Sequence, residues 1–303
     1  MPGAGNWRGR VAPAPPPIAA DAPAGPSTDQ TRLLRIIDAH HHYLAAGEGD
    51  ALFGEQATME PTLYARRELD ERLRAMDADG IGQAVIMPGH GYLRPNGIAD
   101  TRRINDGVAA YQRSRPDRFP VALAVAEPLF GTASLAELDR IRDELGMAGV
   151  TFHARFQGVP TDHRLIVRLI ERMVELDLVA FIHAGDSSEE EMWRILNVAR
   201  CVPEATVVVL DAFDRLEKAN QALVCAELGQ NLVFDTAGCA DFEFVLRFCA
   251  RYGTQRILFG SNKYSSTTPK RRRHILPDLI TADLPGDDKH DIVAGNVTRI
   301  FGL

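Results

Sequence analysis

Six of the nine histidines stand where a run of apolar residues stops. Three are consecutive, in Ile36-Ile37-Asp38-Ala39-His40-His41-His42, while His90 comes just after Ala84-Val85-Ile86-Met87, His153 after Gly149-Val150-Thr151-Phe152 and His183 after Val179-Ala180-Phe181-Ile182. Neutral imidazole is a favoured ligand for zinc, iron, copper and nickel. Four apolar runs delivering imidazole to their C-terminal ends therefore predict one metal site assembled from several strands. Successive side chains of a strand point to opposite faces, so His40 and His42 can aim at one ion while His41 points elsewhere. Asp38 shares their face one layer deeper. It reads as a ligand, as a carboxylate orienting a ligand from behind, or as a buried acid bonded to backbone. Any one of these histidines alone reads more readily as a hydrogen-bonded core or rim residue. Repetition of the pattern at strand ends is what points to metal.

The elements that must position them are legible as eight short apolar runs: Leu34–Asp38, Gln83–Met87, Pro120–Ala124, Gly149–Phe152, Val179–Ile182, Thr206–Leu210, Leu232–Asp235 and Arg256–Phe259. Amphipathic stretches lie between them, at Glu68–Asp79, Arg102–Arg115, Ser134–Leu145, Arg164–Leu176, Glu189–Ala199, Leu216–Leu228 and Phe242–Tyr252. Continuous apolar strands separated by helices indicate a parallel sheet covered on both faces. Eight such units predict an α/β fold of the (β/α)₈ TIM-barrel type. No Gly-x-Gly-x-x-Gly follows the first strand, which weakens a dinucleotide-binding alternative. Two further helices are expected near Lys270–Ile280 and Asp287–Phe301. Barrel active sites lie at the C-terminal ends of the strands, which is where all the singled-out histidines fall. Two more strand ends carry candidates there. Asp211 follows Val207-Val208-Val209-Leu210, as a ligand, a base or a helix cap, and Asn262 follows Leu258-Phe259-Gly260-Ser261, as a neutral oxygen donor.

Composition sets outer bounds. The 303 residues suffice for one large domain, with 45% hydrophobic and 25% charged residues and a net charge of −7. That charge argues against a general nucleic-acid binder, and no apolar stretch approaches membrane-spanning length. Residues 1–30 are rich in Pro, Ala and Gly without the apolar core of a signal peptide, so a flexible tail is expected there, followed by a single barrel domain over residues 31–303. Cys201, Cys225, Cys239 and Cys249 lack Cys-x-x-Cys spacing and are too sparse for a disulfide scaffold, which makes a reduced, cytoplasmic protein the default expectation. Association of identical chains is compatible with all of this.

The chain resembles the amidohydrolase superfamily, in particular its decarboxylase branch. The resemblance is carried by Ile37-Asp38-Ala39-His40-His41-His42, by Phe181-Ile182-His183-Ala184-Gly185, by Arg256-Ile257-Leu258-Phe259-Gly260-Ser261-Asn262 and by the ending Asn296-Val297-Thr298-Arg299-Ile300-Phe301-Gly302-Leu303. It spans roughly residues 33–303 and implies that His40, His42 and His183 are metal ligands. Two residues depart from the family pattern. Asp211 stands where a histidine is usual after strand six, and Asn262 where an aspartate is usual after strand eight. An amide cannot accept a proton at neutral pH, so ordinary metal-assisted hydrolysis is in question. His153 and His90 are additions, and His153 falls where binuclear relatives place a bridging ligand.

These departures resemble the amidohydrolase-like barrels that activate dioxygen at two irons in diterpenoid-antibiotic biosynthesis. That resemblance implies a non-haem diiron monooxygenase hydroxylating an unactivated carbon of a coenzyme A-linked substrate, fed with electrons by a reductase. Its irons would be held by His40, His42, His153, His183 and Asp211 with His90 or Asn262. The run Lys270-Arg271-Arg272-Arg273 after strand eight suits the phosphates of an acyl-CoA, because loops after strands seven and eight often hold phosphate in such barrels. It reads equally as a solvated basic helix face. Two other readings stay open. One is a zinc-dependent hydrolase or decarboxylase in which Asp211 supplies the missing acid–base group, needing neither oxygen nor reductant. The other is a barrel that binds a ligand without catalysis.

Overall fold

The structure is a computed structural model, and it describes residues 35–45, 60–263 and 274–303. The tail expected over residues 1–30 and the basic run Lys270–Arg273 lie outside the described residues. Eight parallel strands follow one another in sequence order around one sheet: β1 (Ile36–Tyr43), β2 (Ile81–Pro88), β3 (Val121–Val125), β4 (Gly149–Phe152), β5 (Val179–His183), β6 (Val207–Leu210), β7 (Leu232–Asp235) and β8 (Ile257–Leu258). Bonds from Ala39 N to Phe259 O (2.8 Å) and from His42 N to Lys263 O (2.7 Å) return β1 to the end of β8 and close the ring. The expected (β/α)₈ TIM barrel is the fold.

The helices follow the expected amphipathic stretches: α1 (Pro61–Ala78), α2 (Ile98–Ser114), α3 (Thr132–Asp143), the short α4 (Ala154–Gln157), α5 (Arg164–Glu175), α6 (Met192–Cys201), α7 (Leu216–Leu228) and α8 (Phe242–Tyr252). In α5 the residues Ile166, Leu169, Ile170 and Met173 are the buried ones, the i, i+3, i+4, i+7 stripe of a helix laid on a sheet. Helix α6 begins later than its apolar pattern suggests. Thr161 N bonds to Glu189 O, and the Glu190 side chain is drawn toward β4, so residues 187–190 are held as a loop. The chain closes with α9 (Leu276–Thr281), α10 (Gly286–His290), a π turn (Asp291–Gly295) and α11 (Asn296–Phe301). Its Asn296 explains one of the family-like motifs. The buried amide donates to Thr254 O and Ile257 O, both at 2.7 Å, and so ties the C-terminal helix to the start of β8.

Strand β1 departs from the reading of the sequence. It runs on through His42 to Tyr43, with a register shift against β2 between Asp38 and His41. The histidines thus lie within the strand and not beyond it. Behind them, on the outer side of β1, Arg72 of α1 donates to His42 O (2.8 Å) and to Glu68 Oε1, while Tyr111 of α2 donates to Glu68 Oε2 (2.6 Å). Glu68 and Arg72 are only 2% and 1% exposed, so each charge depends on the other. Arg72→Ala is expected to destabilise the protein by about 3–5 kcal/mol, because it strands a buried carboxylate. Tyr111→Phe, which deletes one hydrogen bond, should cost about 1–3 kcal/mol. Denaturant melts of the two variants check this, and equal midpoints would refute it.

Candidate metal centre and active-site cavity

Three side chains converge at the C-terminal mouth of the barrel. One nitrogen each of His40, His42 and His183 lies within 4.8 Å of the others, and all three residues are buried. The Nε2 atoms of His40 and His42 are 2.8 Å apart, and those of His42 and His183 are 3.4 Å apart. Their second nitrogens decide what this means. His42 Nδ1 faces the carbonyl of Pro88 at 3.2 Å and His183 Nδ1 the carbonyl of Phe152 at 3.0 Å. A carbonyl only accepts, so each Nδ1 carries the hydrogen and each Nε2 keeps a lone pair. His40 Nδ1 faces Asp235 Oδ2 at 2.6 Å, with the same consequence for a neutral ring.

Three lone pairs turned on one another in a buried space repel unless a cation lies among them. Imidazole nitrogens sharing one ion at about 2.1 Å sit about 3 Å apart, close to the separations seen. The donor chemistry therefore fits a divalent transition metal, and His40, His42 and His183 are the residues that could hold it. Burial holds His42 and His183 well below the usual histidine range, which keeps them neutral as ligation requires. Burial also works against charging His40, but the Asp235 carboxylate outweighs it and raises that ring's pKa. Without metal, a proton on His40 Nε2 can bridge to His42, and ligation must displace it.

Asp235 ends β7 and organises this end of the barrel. It is fully buried, and besides His40 it takes the backbone N–H of Asp211 at 2.7 Å. A Cβ on Gly260 would lie 2.7 Å from Asp235 Oδ2 and 2.9 Å from His40 Cβ, so the close approach of β8 requires glycine there. Sequence reasoning missed Asp235 as a functional residue, although a carboxylate closing an apolar strand was visible. Asp38 proves to be a backbone clamp. Its Oδ1 accepts from His40 N (2.9 Å) and Ser261 N (3.0 Å), pinning β1 to β8, and burial raises its carboxyl to about 6.

His90, His153, Asp211 and Asn262 stand around the trio. The rings of His90 and His183 have centroids 5.6 Å apart, and His153 stacks on His183 at 4.5 Å. His90 is buried and neutral for that reason, with Nε2 at 3.4 Å from Thr151 Oγ1. Asn262 Nδ2 donates to Asp211 Oδ1 at 2.9 Å. Both hold left-handed backbone, with φ of 53° and 58°, which short polar side chains tolerate. Burial pushes the Asp211 carboxyl up to about 6, with His40 opposing and Asp235 adding to the effect. A cavity of about 360 Å³ opens here, lined by His153, Arg155, His183, Asp211, Lys218 and Asn262 among others. Lys218 is satisfied by Ala184 O and by Asp214 at 2.9 Å. Among the described residues no carboxylate pairs with the Arg155 guanidinium. The cysteines are free, as expected, and no helix among the described residues is long and apolar enough to cross a membrane.

A protein-family model described as Amidohydrolase matches residues 37–303. No curated protein matches the chain. Among solved structures, 5-carboxyvanillate decarboxylase LigW from Sphingomonas paucimobilis is similar with a TM-score of 0.69 and 16% identity, over 89% of this chain and 99% of that one. The 5-carboxyvanillate decarboxylase of Novosphingobium aromaticivorans, in a structure with manganese and a nitrobenzoic acid, gives 0.66 and 16%, over 88% of this chain and 96% of that one. The hydratase LigJ from Rhodopseudomonas palustris gives 0.66 and 16%, over 88% and 95%. These similarities concern the fold.

They also overturn the expectation of a diiron monooxygenase. The named reactions, decarboxylation and hydration, are redox-neutral, and the second reading of the sequence, a hydrolase or decarboxylase, agrees with the neighbours better. One three-ligand group forms among the described residues, and the need for dioxygen and a reductase, which followed from the oxygenase reading, lapses with it.

Two outcomes are expected from metal titrations of the purified protein. Asp235→Asn should weaken divalent-metal affinity about 10–100-fold by loosening His40, against near-complete loss in His183→Ala. Affinity should fall as pH falls, because the proton that His40 retains competes with the ion. A pH-independent affinity, or an Asp235→Asn protein binding as tightly as the parent, would contradict this account.

Proposed function

The chain belongs to the amidohydrolase family, and from that premise we propose that it is a divalent-metal-dependent decarboxylase or hydrolase of a small organic acid. The observation that carries the reading is the convergence of three imidazole nitrogens whose tautomers are set by Asp235, Pro88 O and Phe152 O. When bound, a divalent cation supplies Lewis-acid polarisation of a carboxylate or carbonyl oxygen. The chain's own residues do the rest.

Arg155 lines the cavity, its guanidinium pairs with no carboxylate among the described residues, and its fork geometry suits an anionic carboxylate substrate. Asp211 is the acid–base group. Its carboxyl, raised to about 6, can both take and return a proton near neutrality. Asn262 cannot do so, and its donated hydrogen bond instead fixes which Asp211 oxygen remains for the substrate. The strand-eight position has thus passed from proton carrier to orienting donor, with the carrier moved to strand six.

The test strips the protein with a chelator, reloads it singly with manganese, iron or zinc, and assays a panel of aromatic and aliphatic carboxylic acids and their amides anaerobically. Turnover is expected only in loaded protein, without oxygen or reductant. Asp211→Asn should retain its metal and lose about 10²–10⁴-fold in kcat. Turnover that requires dioxygen, or that persists without metal, would sink the proposal.

A further inference from the structure

Glu190, expected at the start of a helix, instead belongs to no strand or helix, yet it is fully buried beside the cavity. Three donors reach it. His153 Nδ1 and Arg155 N (2.8 Å) bond to Oε1, and Ser187 Oγ bonds to Oε2 at 3.2 Å. A Cβ on Gly185 would overlap the carboxylate, so the end of β5 is shaped to admit it. Burial alone would raise its pKa, but the His153 bond and charge, with the Arg155 amide and Ser187 hydroxyl, lower it below the usual glutamate range.

An ionised carboxylate at Nδ1 means that Nδ1 carries hydrogen, and the other ring nitrogen, Nε2, is the one left for the cavity that His153 lines. The ring is restrained further by its neighbours. It stacks on His183 (16° between planes), meets Phe156 edge-on at 4.7 Å, and its own backbone N–H is held by Gln157 Oε1 at 2.9 Å. Such restraint is more than packing needs for a side chain that is one-fifth exposed. It matches an imidazole held by a carboxylate so that its far nitrogen can work.

We propose that His153 and Glu190 form a catalytic histidine and its positioning carboxylate, with His153 Nε2 exchanging a proton with a substrate in the cavity that Asp211 also lines. This rests on the cavity being the active site, as in the proposed function. In hydrolysis, the His153 Nε2 lone pair takes a proton from the attacking water and the Asp211 carboxyl, raised to about 6, gives one to the departing atom; the two then exchange a proton through solvent, so that water adds across the broken bond. In decarboxylation, the electrons of the broken C–C bond stay on the substrate carbon, CO₂ leaves, and a proton that His153 Nε2 has first taken from water takes its place, which returns the ring to its Nδ1–H form. Glu190 keeps Nδ1–H throughout.

The experiment compares the parent, His153→Ala and Glu190→Gln, all loaded with the metal that supports turnover. Metal affinity, measured by competition titration, should stay within about threefold of the parent in both variants, which a ligand or a collapsed site would not allow. His153→Ala should lose about 10²–10⁴-fold in kcat with little change in KM, and added imidazole should restore part of it. Glu190→Gln should lose about 10–100-fold in kcat and gain nothing from imidazole. Loss of metal with His153, or an unchanged kcat in His153→Ala, overturns the pair while leaving the proposed function standing. A parent protein that turns over none of the acids overturns both.

Discussion

The structure depends on one arrangement: three imidazoles whose Nδ1 atoms are all committed outward, to Asp235, Pro88 O and Phe152 O. That commitment turns three Nε2 lone pairs inward on a common point. Apolar burial removes the solvent that would otherwise screen them, and it holds His42 and His183 neutral. A cluster of this kind is unfavourable by itself and favourable around a cation. The barrel sustains it because its strands are joined into a closed ring, β1 to β8 included, so the ligand-bearing strand ends cannot drift apart.

Around that core, buried carboxylates divide the work. Asp38 clamps the backbone where β1 meets β8, Asp235 orients a ligand and fixes the Asp211 backbone, and Glu190 holds His153. Only Asp211 lines the cavity with a carboxyl raised toward neutrality by burial. Four acids of similar chemistry thus do different things because each meets different donors. The left-handed backbone at Asp211 and Asn262 is part of the same design, since it brings their side chains together at 2.9 Å from strand ends 51 residues apart.

The substitution of Asn262 for an acid suggested, from the sequence, that the proton-handling machinery was lost and that a larger metal site had replaced it. The fold shows another arrangement. The amide donates to Asp211, and the extra histidines His90 and His153 stand beside His183 at ring distances of 5.6 and 4.5 Å. Among the described residues, ring orientation and the partner of each second nitrogen bring one nitrogen each of His40, His42 and His183 within 4.8 Å of one another.

The sequence alone laid out the barrel and placed His40, His42 and His183 among its candidate ligands. Apolar runs, helical periodicity and the i, i+2 spacing of His40 and His42 are local features, and a parallel α/β barrel places strand ends on one face by construction. The tertiary structure alone decided the rest. Asp235 meets His40 across 195 residues, Glu190 meets His153 across 37, and the carbonyls of Pro88 and Phe152 belong to strands other than those of the rings they orient. Nothing in the spacing of a chain records such pairings, because they are set by how neighbouring strand ends meet. Those meetings determine which nitrogen of each imidazole is free to act.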